Sequence, residues 1–150
     1  DHIIVTRTFS KLFSIAACRI GYAISSAKII KMINNARPTF DTNAIALLFA
    51  NELINNKELT QKLIATELEG REYLMAELDK AGYEYVYQGG NYVTIKVQTD
   101  SKTVAERLLI EKKTSIKTSG YDILKNYIRV TTGDVKYMEL FIGALLELDK

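Results

Sequence analysis

Four side chains near the amino end could do chemistry together: Thr8, Ser10, Lys11 and Arg19, within Arg7-Thr-Phe-Ser-Lys-Leu-Phe-Ser-Ile-Ala-Ala-Cys-Arg-Ile-Gly-Tyr22. The two hydroxyls can donate hydrogen bonds, and a guanidinium offers a planar fork suited to a phosphate dianion. A lysine here is either an ordinary charged surface residue or a desolvated amine, which is nucleophilic and forms a Schiff base with a carbonyl carbon. The set suits an aldehyde that carries a phosphate.

Two apolar runs flank these residues and must position them. Ile3-Ile4-Val5 reads as a strand buried on both faces, and open α/β sheets place ligands at the carboxyl ends of such strands. Lys11 then stands just past that end. Ile20 to Ser25 reads as a second strand of the same buried type, with Ser25 or Ser26 capping a helix over Ala27 to Asn35.

The run Arg-Thr-Phe-Ser-Lys, with an arginine eight positions after the lysine and Gly-Tyr two later, resembles the cofactor-lysine segment of fold-type I aminotransferases, in particular the histidinol-phosphate aminotransferase branch. The resemblance implies pyridoxal 5'-phosphate as cofactor, Lys11 as its Schiff-base lysine, and Thr8, Ser10 and Arg19 as ligands of its phosphate. Gly70-Arg-Glu-Tyr-Leu74, Gly90-Asn-Tyr-Val93 and Tyr127-Ile-Arg-Val-Thr-Thr-Gly133 look like further landmarks in family order. The last nominates Arg129 for the carboxylate or phosphate end of a substrate. Where histidinol-phosphate enzymes often carry another arginine, this chain has Ser115-Ile-Lys117.

At 150 residues the chain is less than half the length of a complete enzyme of that kind. The resemblance therefore implies a C-terminal fragment. The preceding half would hold the glycine-rich phosphate loop, the aromatic that stacks on the ring and the aspartate that pairs with the pyridine nitrogen. The expected fold is α/β: residues 1–37 as the end of the large cofactor-binding domain, and 38–150 as interdomain helices and a small C-terminal α+β domain. The implied reaction moves an amino group between an amino acid or phosphorylated amine and a 2-oxo acid. Without its first half the fragment is expected to be inactive, and the family implies a homodimer. A decarboxylase of a phosphorylated amino acid, or a non-catalytic binding or assembly domain, are the alternatives.

Composition narrows the partners. With 20 basic and 18 acidic residues the net charge is +2, and the basic residues are scattered, so neither a nucleic-acid footprint nor a polybasic membrane patch is present. No apolar run approaches the roughly 18 residues that span a bilayer, and no signal-peptide pattern is seen. A single cysteine, Cys18, excludes an internal disulfide and favours a reducing compartment, so the expected location is cytoplasmic. Cys18 reads as a reactive thiol beside Arg19 or as a small packing residue. His2 is the sole histidine, an incidental edge residue, and no metal site is expected.

Farther along, Arg37-Pro38-Thr39 breaks the helical pattern, because proline disfavours a helical conformation in the residue before it. Asp41 or Thr42 is expected to cap the next helix, with Ile45, Leu48, Phe49, Glu52 and Leu53 on its mostly apolar face. Helical spacing then runs from Lys57 to about Ala81 and stops at Gly82. Tyr83 to Tyr87 and Tyr92 to Val97 read as a hairpin around Gly89-Gly90. Tyr83, Tyr85 and Tyr87 share one side and either stack on a planar ligand or cover a sheet or helix. Asn91 at the start of the second strand is a candidate substrate or cofactor contact, or a turn residue. Asp100 or Ser101 opens a helix to Lys112. Ser115 to Thr118 and Tyr127 to Thr132 read as strands. A final helix after Gly133-Asp134 shows Met138, Phe141, Ile142, Leu145 and Leu146 as its stripe. Arg129 alternates with Ile128 and Val130, so it faces solvent or a cleft if those two face the core.

Overall fold

The computed structural model describes residues 2–150. It falls into two compact units, Asp1–Leu63 and Ile64–Lys150.

The first unit holds strands β1 (Val5–Thr8) and β2 (Gly21–Ile24), then helices α1 (Ala27–Ala36) and α2 (Ala44–Asn55). β1 and β2 pair antiparallel, Val5 opposite Ile24 and Thr8 opposite Gly21. β1 is not the doubly buried strand that the sequence predicts. Ile3 and Ile4 precede β1 and are exposed, and every residue of β2 is exposed, including Ile24 at 58%. The ribbon has only two strands and no element of this unit covers both of its faces. The core lies elsewhere, in Phe9, Ile20, Ala46 and Ala50, with Phe13, Ile15, Cys18 and Leu53 packed against them. Cys18 therefore takes its packing role.

Ser26 caps α1, accepting from the Ile29 amide. α1 stops at Ala36, and Arg37 is extended ahead of Pro38. The α2 cap is Asn43, whose side chain accepts from the Ala46 amide at 2.8 Å, in place of the expected Asp41 or Thr42. Asp41 is instead paired with Arg37. The buried face of α2 also differs from the expected one: Ala46 and Ala50 are buried, whereas Ile45, Leu48 and Phe49 are exposed. Two alanines one turn apart leave room for the Phe9 segment that larger side chains would fill.

Helix α3 (Lys57–Lys80) begins in the first unit and continues into the second. The second unit adds β3 (Tyr85–Val86), β4 (Tyr92–Lys96), α4 (Ser101–Lys112), β5 (Lys117–Thr118), β6 (Tyr127–Thr131) and α5 (Val135–Leu148). Its four strands form one antiparallel sheet in the order β3-β4-β6-β5. One face of that sheet, Val93, Ile95, Ile128 and Val130, packs with Leu74 and Leu78 of α3, Val104 and Leu108 of α4, and the apolar side of α5. This is the mixed helix and antiparallel-sheet architecture expected for the small domain.

The alternation along β4 and β6 is strict because one face is buried and the other open. Gly89 and Gly90 turn the hairpin with φ of 88° and 93°, values open to glycine at little cost. Tyr83 is buried and Tyr85 and Tyr87 are half-buried against the core, so the tyrosine side covers the sheet. Asp100 caps α4 through the Thr103 amide. Two expectations were too generous: β5 is only two residues long, and Leu146 is exposed at 39%, its place on the buried side of α5 taken by Ala144 and Leu148.

Candidate cofactor and anion sites

In the first unit the candidate residues occupy the connection from β1 to β2. Phe9, 2% exposed, pins that connection from both sides: its amide donates to Ile20 O at 3.3 Å, and its carbonyl accepts from the Ile15 amide at 3.4 Å. Its ring lies 5.3 Å from Phe13 and 5.9 Å from Tyr22 between centroids. With Phe9 buried, its neighbours Thr8 and Ser10 remain accessible. The Thr8 hydroxyl donates to Ser10 Oγ at 2.8 Å, and the Ser10 amide donates to Thr8 Oγ1 at 3.0 Å. The two hydroxyls thus form one polar spot, with the Ser10 hydroxyl hydrogen free to turn to an acceptor.

Lys11 follows, its carbonyl closing a turn onto the Ser14 amide at 2.9 Å. The side chain is exposed, where the sequence-based expectation is a desolvated amine; the turn buries Phe9 and leaves Lys11 at its outer surface. A short 3-10 turn, Ala16–Cys18, leads to Arg19, which has φ 52° and ψ 43°. A non-glycine residue in this left-handed region is held there by its surroundings. The Arg19 guanidinium folds back to donate to Ala16 O at 2.8 Å, which leaves most of its five donors available. Gly21 closes the connection: a Cβ there would meet Arg7 O at 2.6 Å. The donor set, two joined hydroxyls and a guanidinium around a turn that also carries an amine, fits a phosphorylated aldehyde.

The second unit carries the other candidates. On the open face of its sheet Thr94, Arg129 and Lys117 stand side by side across three strands, Arg129 opposite both of the others. They line a cleft of about 320 Å³ with Tyr121 and Tyr127. Arg129 therefore faces a cleft, as one arm of the sequence-based alternative has it, with its guanidinium 4.8 Å from the Tyr92 ring centre. Among the described residues no acidic side chain lines the cleft. Two cations and several hydroxyls give this cleft the charge and the donors that suit an anion.

Asn91 lies just before β4. Its carbonyl accepts from the Thr132 amide at 3.0 Å, and its buried Nδ2 has no acceptor among the described residues. Sequence reasoning missed Glu67 and Thr132. Glu67 accepts a hydrogen bond of 2.6 Å from the Thr132 hydroxyl and is paired with Arg71. The signal was Gly70, a glycine inside a long helical pattern, which marks a close backbone approach. Among the described residues no group of three or more histidine, cysteine, aspartate or glutamate side chains could hold a metal. No helix among them is long and apolar enough to cross a membrane.

Residues 1–145 match the family of aminotransferases of class I and II, and the chain belongs to that family. Among its relatives, the histidinol-phosphate aminotransferase of Moorella thermoacetica is 32% identical over 150 residues, which is 98% of this chain and 38% of that protein. The enzyme of the same name from Caldicellulosiruptor saccharolyticus is 33% identical over 147 residues, 98% of this chain and 41% of that protein. The chain thus spans about 40% of the length of these curated relatives. The fold is shared with histidinol-phosphate aminotransferase from Sinorhizobium meliloti, solved with pyridoxal-5'-phosphate, at a TM-score of 0.82 and 23% identity, covering 97% of this chain and 40% of that one. It is shared as well with L-threonine-O-3-phosphate decarboxylase from Porphyromonas gingivalis, at a TM-score of 0.75 and 22% identity, covering 96% of this chain and 46% of that one.

Proposed function

We propose that this chain is the C-terminal part of a pyridoxal-phosphate-dependent aminotransferase that moves an amino group between an amino acid or phosphorylated amine and a 2-oxo acid. The observation that carries the reading is the joined Thr8 and Ser10 hydroxyls beside Lys11 in a turn pinned by Phe9, within a chain of this family. In this reading residues 1–37 end the cofactor-binding domain and 38–150 supply interdomain helices and the small domain. The first half of the same enzyme, a homodimeric assembly and a cytoplasmic location belong to the same proposal.

Each residue then has a definite task. Thr8, Ser10 and Arg19 hold the cofactor phosphate, and the guanidinium contributes charge as well as direction. Lys11 Nζ is the amine that would hold the cofactor through its aldehyde. The same amine would act as the base that takes a proton from the substrate carbon and later returns it. When bound, the pyridine ring supplies an electron sink for that proton transfer. Arg129, with Lys117 beside it, fixes the acidic end of the substrate, and Asn91, whose amide donor has no partner among the described residues, is a further substrate contact.

The test is borohydride reduction of the full-length protein with pyridoxal phosphate, followed by peptide mapping. Label on Lys11, and its loss in Lys11→Ala, is the expected result; label elsewhere or none overturns the assignment and leaves a non-catalytic module. Amine exchange that depends on a 2-oxo acid is expected of the full-length enzyme. Carbon dioxide release from a phosphorylated amino acid in its place would make it a decarboxylase. The 150-residue chain alone is expected to show no turnover.

A further inference from the structure

The carboxyl end of β6 is held by a group of residues that the proposed chemistry does not use. Gly70 of α3 lies directly on the backbone beyond β6: a Cβ built on it would stand 1.6 Å from Gly133 O. One turn earlier on α3, Glu67 accepts a hydrogen bond from Thr132 Oγ1 at 2.6 Å. Thr132 is 7% exposed, and its amide is taken by Asn91 O. So the residue that follows β6 is tied to a helix by its side chain and to the start of β4 by its backbone.

Glu67 is itself held. Arg71 Nη1 donates to both of its carboxylate oxygens, at 3.0 and 2.9 Å, and reaches Gly90 O at 3.4 Å. The Arg71 guanidinium rests 4.6 Å from the centre of the Tyr87 ring, and both partners of the ion pair are only 15% exposed. A carboxylate fixed by a neighbouring arginine has little rotamer freedom left to lose when it accepts the threonine hydroxyl, and at low exposure the charge-assisted bond is worth more than a surface pair.

Arg129 lies in β6, three residues before Thr132, its side chain on the open face. The register that places it opposite Thr94 and Lys117 depends on where β6 ends. We infer that Glu67, held by Arg71, is a positioning residue for Arg129, acting through the Thr132 hydroxyl to fix the strand that presents the guanidinium to an anionic ligand. The inference rests on the reading that Arg129 binds the acidic end of the substrate.

The experiment measures the dissociation constant of glutarate, an unreactive dicarboxylate, for the full-length holoenzyme by calorimetry, with thermal melting of each variant alongside. Thr132→Val removes the donor and is expected to weaken glutarate about tenfold, the equivalent of one hydrogen bond's net contribution. Thr132→Ser restores the hydroxyl and is expected to restore affinity. Glu67→Gln keeps an acceptor and loses the pair with Arg71, with an expected loss of about threefold; it serves equally should Thr132→Val fail to fold. Unchanged glutarate affinity in Thr132→Val or Glu67→Gln, in a protein where Arg129→Ala does weaken it, overturns the positioning role alone. Unchanged affinity in Arg129→Ala overturns the reading of Arg129 itself.

Discussion

Thr99 donates twice to one oxygen of Asp149: its amide reaches Oδ1 at 2.9 Å and its hydroxyl at 2.8 Å, while the Gln98 amide takes Oδ2 at 2.8 Å. Asp149, 2% exposed, thereby ties the end of α5 to the segment between β4 and α4. Burial alone would push its carboxyl up; the donors from Gln98, Thr99 and Tyr83 outweigh that and hold it below the usual carboxylate range. A carboxyl held low when folded stabilises the protein fully above its unfolded value, about 3.9, and loses that contribution as pH falls through the folded value. Asp149→Asn is expected to cost about 1–3 kcal/mol at neutral pH and to flatten the acid limb. Denaturant unfolding of the full-length protein at several pH values reads both.

Tyr83 should titrate well above the ordinary range of a tyrosine. Burial, followed by the nearby Asp149 charge, pushes its phenol well above the ordinary value. The sign is opposite to that of the carboxylate: the contribution is present below the unfolded value, about 10, and is lost as pH rises through the folded one. Spectrophotometric titration of Tyr83→Phe is expected to lack a step above the ordinary range. Loss of an early step would refute the assignment.

Two glycine-to-alanine changes should move stability in opposite directions. Helix propensity favours alanine at both positions by about 1 kcal/mol. At Gly70 the added methyl meets Gly133 O, and overpacking against backbone should cost about 3 kcal/mol. At Gly143, inside α5, a Cβ meets nothing within 4 Å, so Gly143→Ala should raise the melting temperature.

Phe9→Ala should loosen the β1–β2 connection without touching a proposed phosphate ligand. Truncating a buried phenylalanine costs about 3–5 kcal/mol, and here the ring anchors the backbone on which Thr8, Ser10 and Lys11 stand. The expected result is weaker pyridoxal phosphate binding by the full-length protein, read as a shift in its absorbance titration.

Arg19 separates charge from shape. Arg19→Lys keeps a cation and loses the fork, with an expected loss in cofactor affinity of about tenfold. Arg19→Gly relaxes a backbone at φ 52° while removing the guanidinium. If Arg19 served only the turn, the glycine variant would bind the cofactor as well as the parent does.

Legibility in the sequence followed how local the cause was. The Gly89-Gly90 turn, the Asp100 cap and the alternation around Arg129 are set within a few residues, and each was readable. The exposure of Ile3, Ile4 and Ile24 was not, because apolar type fixes what a residue prefers and says nothing about which element covers it. The face of α2 misled for a related reason: Ile45, Leu48 and Phe49 outweigh Ala46 and Ala50 on any hydrophobicity scale, yet only the small pair admits a close neighbour. The Glu67–Thr132 bond joins residues 65 positions apart, beyond the reach of spacing rules; Gly70 alone hinted at it.

The four-stranded sheet is trimmed at both rims, since β3 and β5 are each two residues long. A rim of that length offers too few free rungs for an incoming strand to zip onto. The face that carries Arg129 can therefore stay open to small molecules without its borders recruiting other polypeptides into fibrous stacks.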